Sequence, residues 1–208
     1  MNRWILRGSC FVALLLGAQV MLAQEFSADV FSTKDSGELK KVYAGKNKVR
    51  FDVNAKTQGM GAAAVIFDES QSKYTVLMTD RHMYMDAPPT MVKRMIANFW
   101  RVQDVDSACS EWRKTAAAAG ADQDWGSCTK VGGDTVDGRA AVKYEGVSKK
   151  GEKMHVWVDT KLRCVVKTDE SSGGFELRNI QEGSQPASLF EVPASYTKFD
   201  MGSMQRPH

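Results

Sequence analysis

Apolar residues recur at every second position through most of the chain, the pattern of strands with one buried face. Phe26, Ala28 and Val30 alternate with Ser27 and Asp29, and Val49, Phe51 and Val53 alternate with Arg50 and Asp52. Asp35-Ser36-Gly37 and Gly45-Lys46-Asn47 supply the turns on either side of a strand over 38–44. Residues 62–67 are unbroken in their apolar character and read as a buried strand. A hairpin over 74–86 follows, reversing near Asp80, with Tyr74, Val76 and Met78 and then Met83 and Met85 on one face.

Pro88 and Pro89 end that strand, and the period changes. Met91, Val92, Met95, Ile96, Phe99 and Trp100 fall on one stripe, with Lys93, Arg94, Asn98 and Arg101 elsewhere, as on an amphipathic helix starting near Thr90. A second helix over 108–120 carries Trp112 and four successive alanines and stops at Gly120. Alternation then resumes over 129–136 and 139–147, joined by the hairpin dipeptide Asp137-Gly138. Residues 153–159 set Met154, Val156 and Val158 against His155 and Trp157, and strands over 162–168 and 175–181 follow. Leu189-Phe190-Glu191-Val192-Pro193 packs once more, and 201–208 reads as a flexible tail. The pattern sums to about ten antiparallel strands, short and separated by turns, with a helical excursion over 87–126.

The first residues stand apart. Arg3 and Arg7 precede an apolar run from Phe11 to Leu22, and Ala23 is small, which together read as a signal peptide over 1–23 cleaved near Ala23. The expected product is a single exported domain over 24–200, periplasmic, without a transmembrane span. Loss of two arginines and no acids takes the net charge from +3 to +1. A nearly neutral chain has no electrostatic footprint for nucleic acid.

Three cysteines remain beyond that segment, Cys109, Cys128 and Cys164. In an oxidising compartment an odd count reads as one bridge and one spare thiol. Cys109 and Cys128 flank the same alanine-rich excursion and are the expected pair. Cys164 sits in a strand pattern and reads as a small buried hydrophobe.

Catalysis needs a cluster of reactive groups, and the sequence offers none. His82 and His155 each stand singly on a strand, and His208 is in the tail. Neither a histidine pair nor a cysteine pair stands at metal spacing, and no G-x-S-x-G elbow or phosphate-cradling loop occurs. The expectation is a non-enzymatic protein with no cofactor and no metal. Met78, Met83, Met85, Met91 and Met95 are of a type that ligates Cu(I). Their strand and helix spacing among Val, Ile and Phe instead reads as packing or as a deformable lining.

Several segments together resemble a family. These are Phe26-Ser27-Ala28-Asp29, Gly45-Lys46-Asn47-Lys48-Val49-Arg50, Met83-Tyr84-Met85, and Cys109-x-x-Trp112 with Cys128. Lys130-Val131-Gly132, Trp157-Val158-Asp159-Thr160-Lys161-Leu162 and the ending Pro186-Ala187-Ser188-Leu189-Phe190-Glu191-Val192-Pro193 complete the set. The chain is similar to uncharacterised exported bacterial proteins related to the periplasmic outer-membrane lipoprotein carriers, the LolA/LolB-like group. The resemblance implies an α+β fold, a half-open antiparallel β-barrel whose concave face is capped by the helical insert and binds acyl chains. The carriers hold their lid with an arginine after the second strand; Lys46 falls near that place and Arg50 somewhat later.

On that basis the expected cavity is lined by Phe26, Val30, Phe51, Val53, Phe67, Val76, Met78, Met83 and Met85. Its lid is Met91, Met95, Ile96, Phe99 and Trp100. The ligand would be hydrophobic or acylated and held by desolvation alone. The alternative is an envelope protein–protein interaction module with a fully packed barrel and a basic lid surface of Lys93, Arg94, Arg101, Arg113 and Lys114.

Overall fold

The computed structural model describes residues 25–32, 40–55, 61–87, 101–118 and 125–199. The expected signal peptide, the five lid residues with Lys93 and Arg94, and the tail over 201–208 lie outside the described residues. In chain order the strands are β1 (Phe26–Ser32), β2 (Lys40–Ala44), β3 (Lys48–Ala55), β4 (Gly61–Asp68), β5 (Lys73–Met78) and β6 (Met83–Ala87). Helix α1 (Ala108–Ala118) intervenes. Then come β7 (Trp125–Val136), β8 (Arg139–Ser148), β9 (Lys153–Asp159), β10 (Val165–Glu170), β11 (Phe175–Glu182) and β12 (Thr197–Lys198).

All twelve strands belong to one sheet, ordered β12-β6-β5-β4-β3-β2-β1-β11-β10-β9-β8-β7. Neighbours are antiparallel except β12 and β6, which run parallel with Thr197 beside Met83 and Lys198 beside Tyr84. The expected half-open barrel of about ten strands is therefore corrected to an open, mixed, twelve-stranded sheet. The α+β class is corrected with it, since α1 is the one α-helix among the described residues. The physical reason lies at the edge of β6. Closing a sheet into a barrel requires its two outer strands to pair. Here the returning C-terminal segment fills the β6 edge as β12, and β7 is left as the other edge.

Period-two alternation builds the main core. Register pairs Phe26 with Ala44, Val42 with Phe51, Phe51 with Val65 and Val65 with Val76, so their side chains share one face. The same core continues through Val30, Leu177, Val166, Val158, Val142 and Tyr144, reaching Ala108 at the start of α1. Fully burying one such side chain stabilises the fold by ~1.5–3 kcal/mol.

A second, smaller core covers the opposite face of β4 and β5, where Ala64, Ile66 and Leu77 pack with Phe190. Tyr43, Tyr84, Leu189, Val192 and Tyr196 surround it. This explains the unbroken apolar run over 62–67: β4 is buried on both sides, so alternation has no solvent face to report. The segment after β11 thus straps the back of the sheet. A 3-10 turn, Ala187–Phe190, delivers Phe190, and Arg50 Nη1 donates to the Leu189 carbonyl at 3.1 Å.

Turn chemistry holds the other end together. Asp137 and Gly138 both take positive φ, +47° and +75°, as the two-residue hairpin between β7 and β8 requires. Asp159 closes the reversal between β9 and β10. Its buried carboxylate accepts from the Lys161 and Leu162 amides at 2.8 and 2.7 Å and from Arg139 Nε at 2.6 Å. Cys164 forms an isolated bridge to Arg101. Burial pushes its thiol pKa up to about 12, so it is a packed, unreactive hydrophobe.

Candidate functional site

Helix α1 is built by local propensity more than by amphipathicity. Ala116–Ala118 are strong helix formers, and Ala108 is its one buried residue. Its entry is organised by Glu111, whose carboxylate accepts the backbone N–H groups of Gln103 at 2.8 Å and Asp104 at 2.9 Å. Ser110 N–H donates to the Ser107 carbonyl at 2.9 Å, starting the first turn. A helix with so small an apolar face needs other attachments.

Three of them place it over the end of the β7–β8 hairpin. The expected disulfide is formed: Cys109 joins Cys128 on β7 across a sequence separation of 19, with Cα atoms 5.6 Å apart. Trp112, three residues after Cys109 and hence on the same helix face, meets Tyr144 of β8 edge-to-face, with ring centroids 5.4 Å apart. Such pairs contribute ~0.5–1.5 kcal/mol beyond their buried area. Lys130 Nζ binds Asp106 Oδ1 at 2.6 Å just ahead of the helix. The Tyr144 hydroxyl donates to the Val105 carbonyl, and burial raises its pKa above the ordinary phenol value, so it stays a neutral donor.

Beneath α1 these elements leave a cleft of about 260 Å³. Tyr144 and Val156 are buried and form its floor, while Trp112, Cys128, Gly146, Val147 and Met154 are half-buried and form its walls. Ser127, Glu152, Lys153, Glu170, Ser171 and Ser172 are exposed and form its rim. Ser148, also at the rim, is engaged locally, its Oγ accepting the Lys150 and Glu152 amides at 3.2 and 3.1 Å. Apolar inside and polar at the mouth, the cleft is suited to desolvating a hydrocarbon segment.

The side chains expected to line a cavity are elsewhere on the sheet. Phe26, Val30, Phe51 and Phe67 are buried in the main core, with Val53 and Val76 packed partly buried against it. Met78, Met83 and Met85 are half-buried along the β5–β6 pair, where Val76 lies opposite Met85 and Met78 opposite Met83. These nine thus share one continuous face, and none borders the cleft beneath α1. Of the basic residues considered for a partner surface, Arg113 and Lys114 are exposed on α1. Arg101 is half-buried and donates to the Gly45 carbonyl at 3.0 Å. Trp112 could have been found from sequence by its place three residues after the bridged Cys109, and Met154 by the glycine it pairs with, Gly146, which itself lies opposite Cys128.

The back of the sheet carries a second aromatic feature. Trp157 donates its indole N–H to Asp134 Oδ2 at 2.7 Å, and the ammonium groups of Lys143 and Lys167 lie 4.9 and 5.2 Å from its ring centroid. That hydrogen bond holds the Asp134 carboxyl below its ordinary pKa. The cluster is filled by its own members and reads as a structural clasp across β7, β8, β9 and β10.

No helix among the described residues is long and apolar enough to cross a membrane. No family model matches the chain, and no curated protein matches it. Among solved structures, an uncharacterised conserved protein from Thermus thermophilus is similar at a TM-score of 0.53 and 12% identity, over 86% of this chain and 91% of that one. Lipoprotein LppX of Mycobacterium tuberculosis is more distant, at 0.40 and 13% identity over 80% of this chain and 88% of its own. MucB in the Pseudomonas aeruginosa MucA/MucB complex gives 0.39 and 12% identity over 84% of this chain, which spans 57% of the MucB chain. The Thermus likeness shows a shared fold.

Proposed function

We propose that this chain is an exported, non-enzymatic binding protein of the cell envelope, holding a lipid-like or acylated ligand by desolvation in the cleft beneath α1. One observation carries the reading: a cleft of about 260 Å³ with an apolar floor of Tyr144 and Val156 and walls that include Trp112 and Met154, beside a covalently tethered helix. Export is supported by the basic-then-apolar start of the sequence and by the Cys109–Cys128 bridge, since such bridges persist in oxidising compartments. The cleft favours this reading over a fully packed interaction module.

Native mass spectrometry on protein purified after mild extraction tests it, together with titration by a neutral environment-sensitive dye such as Nile red. The expected result is bound apolar mass, and dye fluorescence that falls in Trp112→Ala. A clean apo mass with no dye uptake would overturn the proposal.

A further inference from the structure

The cleft is too small for most envelope lipids, and its shape says what it does fit. A dry apolar cavity of ~150 Å³ takes benzene, a six-carbon ring. By that scale 260 Å³ has room for roughly ten carbons. Two or three full-length acyl chains need several times as much.

Depth and polarity are graded along one direction. Tyr144 and Val156 are buried at the inner end, while Ser127, Ser171 and Ser172 are exposed at the outer end. A molecule that is apolar at one end and hydrogen-bonding at the other matches that gradient in one orientation.

Gly146 sets part of the depth. Its backbone has no left-handed φ that would demand glycine. A Cβ there would meet Met154 Cε at 3.9 Å and backbone oxygens at 3.9 and 4.0 Å, which is ordinary contact. The space exists because a side chain is missing, and it is refillable without strain. Cys128 is itself a wall and ties the start of α1 to β7 through Cys109, which restrains the helix that carries Trp112 from moving away.

We propose that the cleft selects one alkyl chain of about ten carbons on a single-chain amphiphile, its hydrogen-bonding head left at the polar rim of serines with Glu152, Lys153 and Glu170, and excludes two-chain lipids. This rests on the apolar-ligand reading and narrows it to a ligand class and a length limit.

The test is calorimetric titration of the disulfide-intact protein with n-alkyl maltosides from six to fourteen carbons, each below its micelle concentration. Affinity is expected to rise about fourfold per methylene, then level off near ten carbons. Gly146→Leu should bring the plateau to shorter chains by two or more carbons. Gly146→Ala, a gentler change should the first variant fold poorly, should weaken decyl maltoside several-fold and leave hexyl maltoside nearly unchanged. An unbroken rise through fourteen carbons overturns the proposal, as does uptake of a diacyl phosphatidylcholine from vesicles. Maltoside binding indifferent to Gly146 and Trp112 overturns it too, while leaving apolar binding elsewhere on the chain intact. Absence of any binding, by maltosides or by Nile red, overturns the underlying function as well.

Discussion

The two halves of the sheet solve the same packing problem differently. Strands β4 and β5 are covered on both faces, by the main core on one side and by Phe190, Leu189 and Tyr196 on the other. Among the described residues, strands β7 and β8 have no such strap. Their apolar face is covered by a short alanine-rich helix that buries one residue of its own and is held by a disulfide, an aromatic pair and an ion pair. The first half fills its volume with side chains from the chain's own C-terminal segment. The second substitutes a covalent tether for packing and so can leave a space beneath it. A binding site in a single-sheet protein is most easily placed where the cover is tied down rather than packed down.

The sharpest way to break that comparison is to weaken the packed half. Phe190 is 8% exposed, and its ring lies against Gly45, where even a methyl group would come within 3.1 Å of it. Phe190→Ala should cost about 3–4 kcal/mol, measured as a lowered urea midpoint, with maltoside binding retained in the fraction that stays folded. A loss of binding at denaturant-free equilibrium without loss of fold would show that the halves are not independent. Next in size is the tether. Replacing both Cys109 and Cys128 by Ser should destabilise the protein by about 3 kcal/mol on the chain-entropy account. Hydrogen exchange should then speed up in α1 and β7 while β4 and β5 keep their protection.

Trp112→Ala sharpens the contrast from the opposite side. Trp112 is half-buried and pairs with Tyr144, so stability should fall by about 2 kcal/mol, the pair's own contribution plus the lost apolar burial. Decyl maltoside affinity should fall about tenfold, because the ring is one wall of the cleft. Losses in stability with no loss of binding across a set of wall variants would mean that the cleft is core, and not a site.

How much of this was legible follows the range of the interactions. Alternation within a strand marks which residues share a face, so Phe26–Val30, Val49–Val53 and Met154–Val158 were readable one strand at a time. So were the Asp137-Gly138 hairpin, helix α1 and the Cys109–Cys128 bridge, each a short-range feature. The β12–β6 pairing was not. Thr197 and Lys198 make a two-residue strand with no pattern of its own, joined in parallel to a partner more than a hundred residues away. That one pairing extends the edge of the expected half-open barrel into a mixed, open sheet. The cleft was illegible for another reason: periodicity says which side chains are apolar, and a space depends on which are absent. Gly146 opposite Cys128 and Met154 is that absence, and a glycine in a strand interior, where it otherwise weakens the strand, was the available signal.

The smallest expected effect concerns how the strap is fastened at its end. Asp86 on β6 receives Lys198 of β12 at 2.8 Å on Oδ2 and Lys73 of β5 at 3.0 Å on Oδ1. Hydrogen bonds from Lys198 and then Lys73 outweigh its partial burial and hold its carboxyl below the ordinary value of 3.8. A carboxylate whose pKa is depressed on folding stabilises the native state fully above its unfolded value, and the gain is lost as pH falls through the folded value. The end of the strap should therefore be intact at neutral pH and begin to loosen only below about pH 4. The readout is protection of the Thr197 and Phe199 amides, which donate to the His82 and Tyr84 carbonyls at 2.9 and 2.7 Å. Lys198→Ala should lower that protection modestly at pH 7 and flatten its acid dependence, while amides of β8 and β9 stay unaffected. The change is small because both lysines are about half exposed, where ion pairs are screened. Acid loosening that appeared first in α1 instead would reverse the assignment of which half depends on charge and which on a covalent tie.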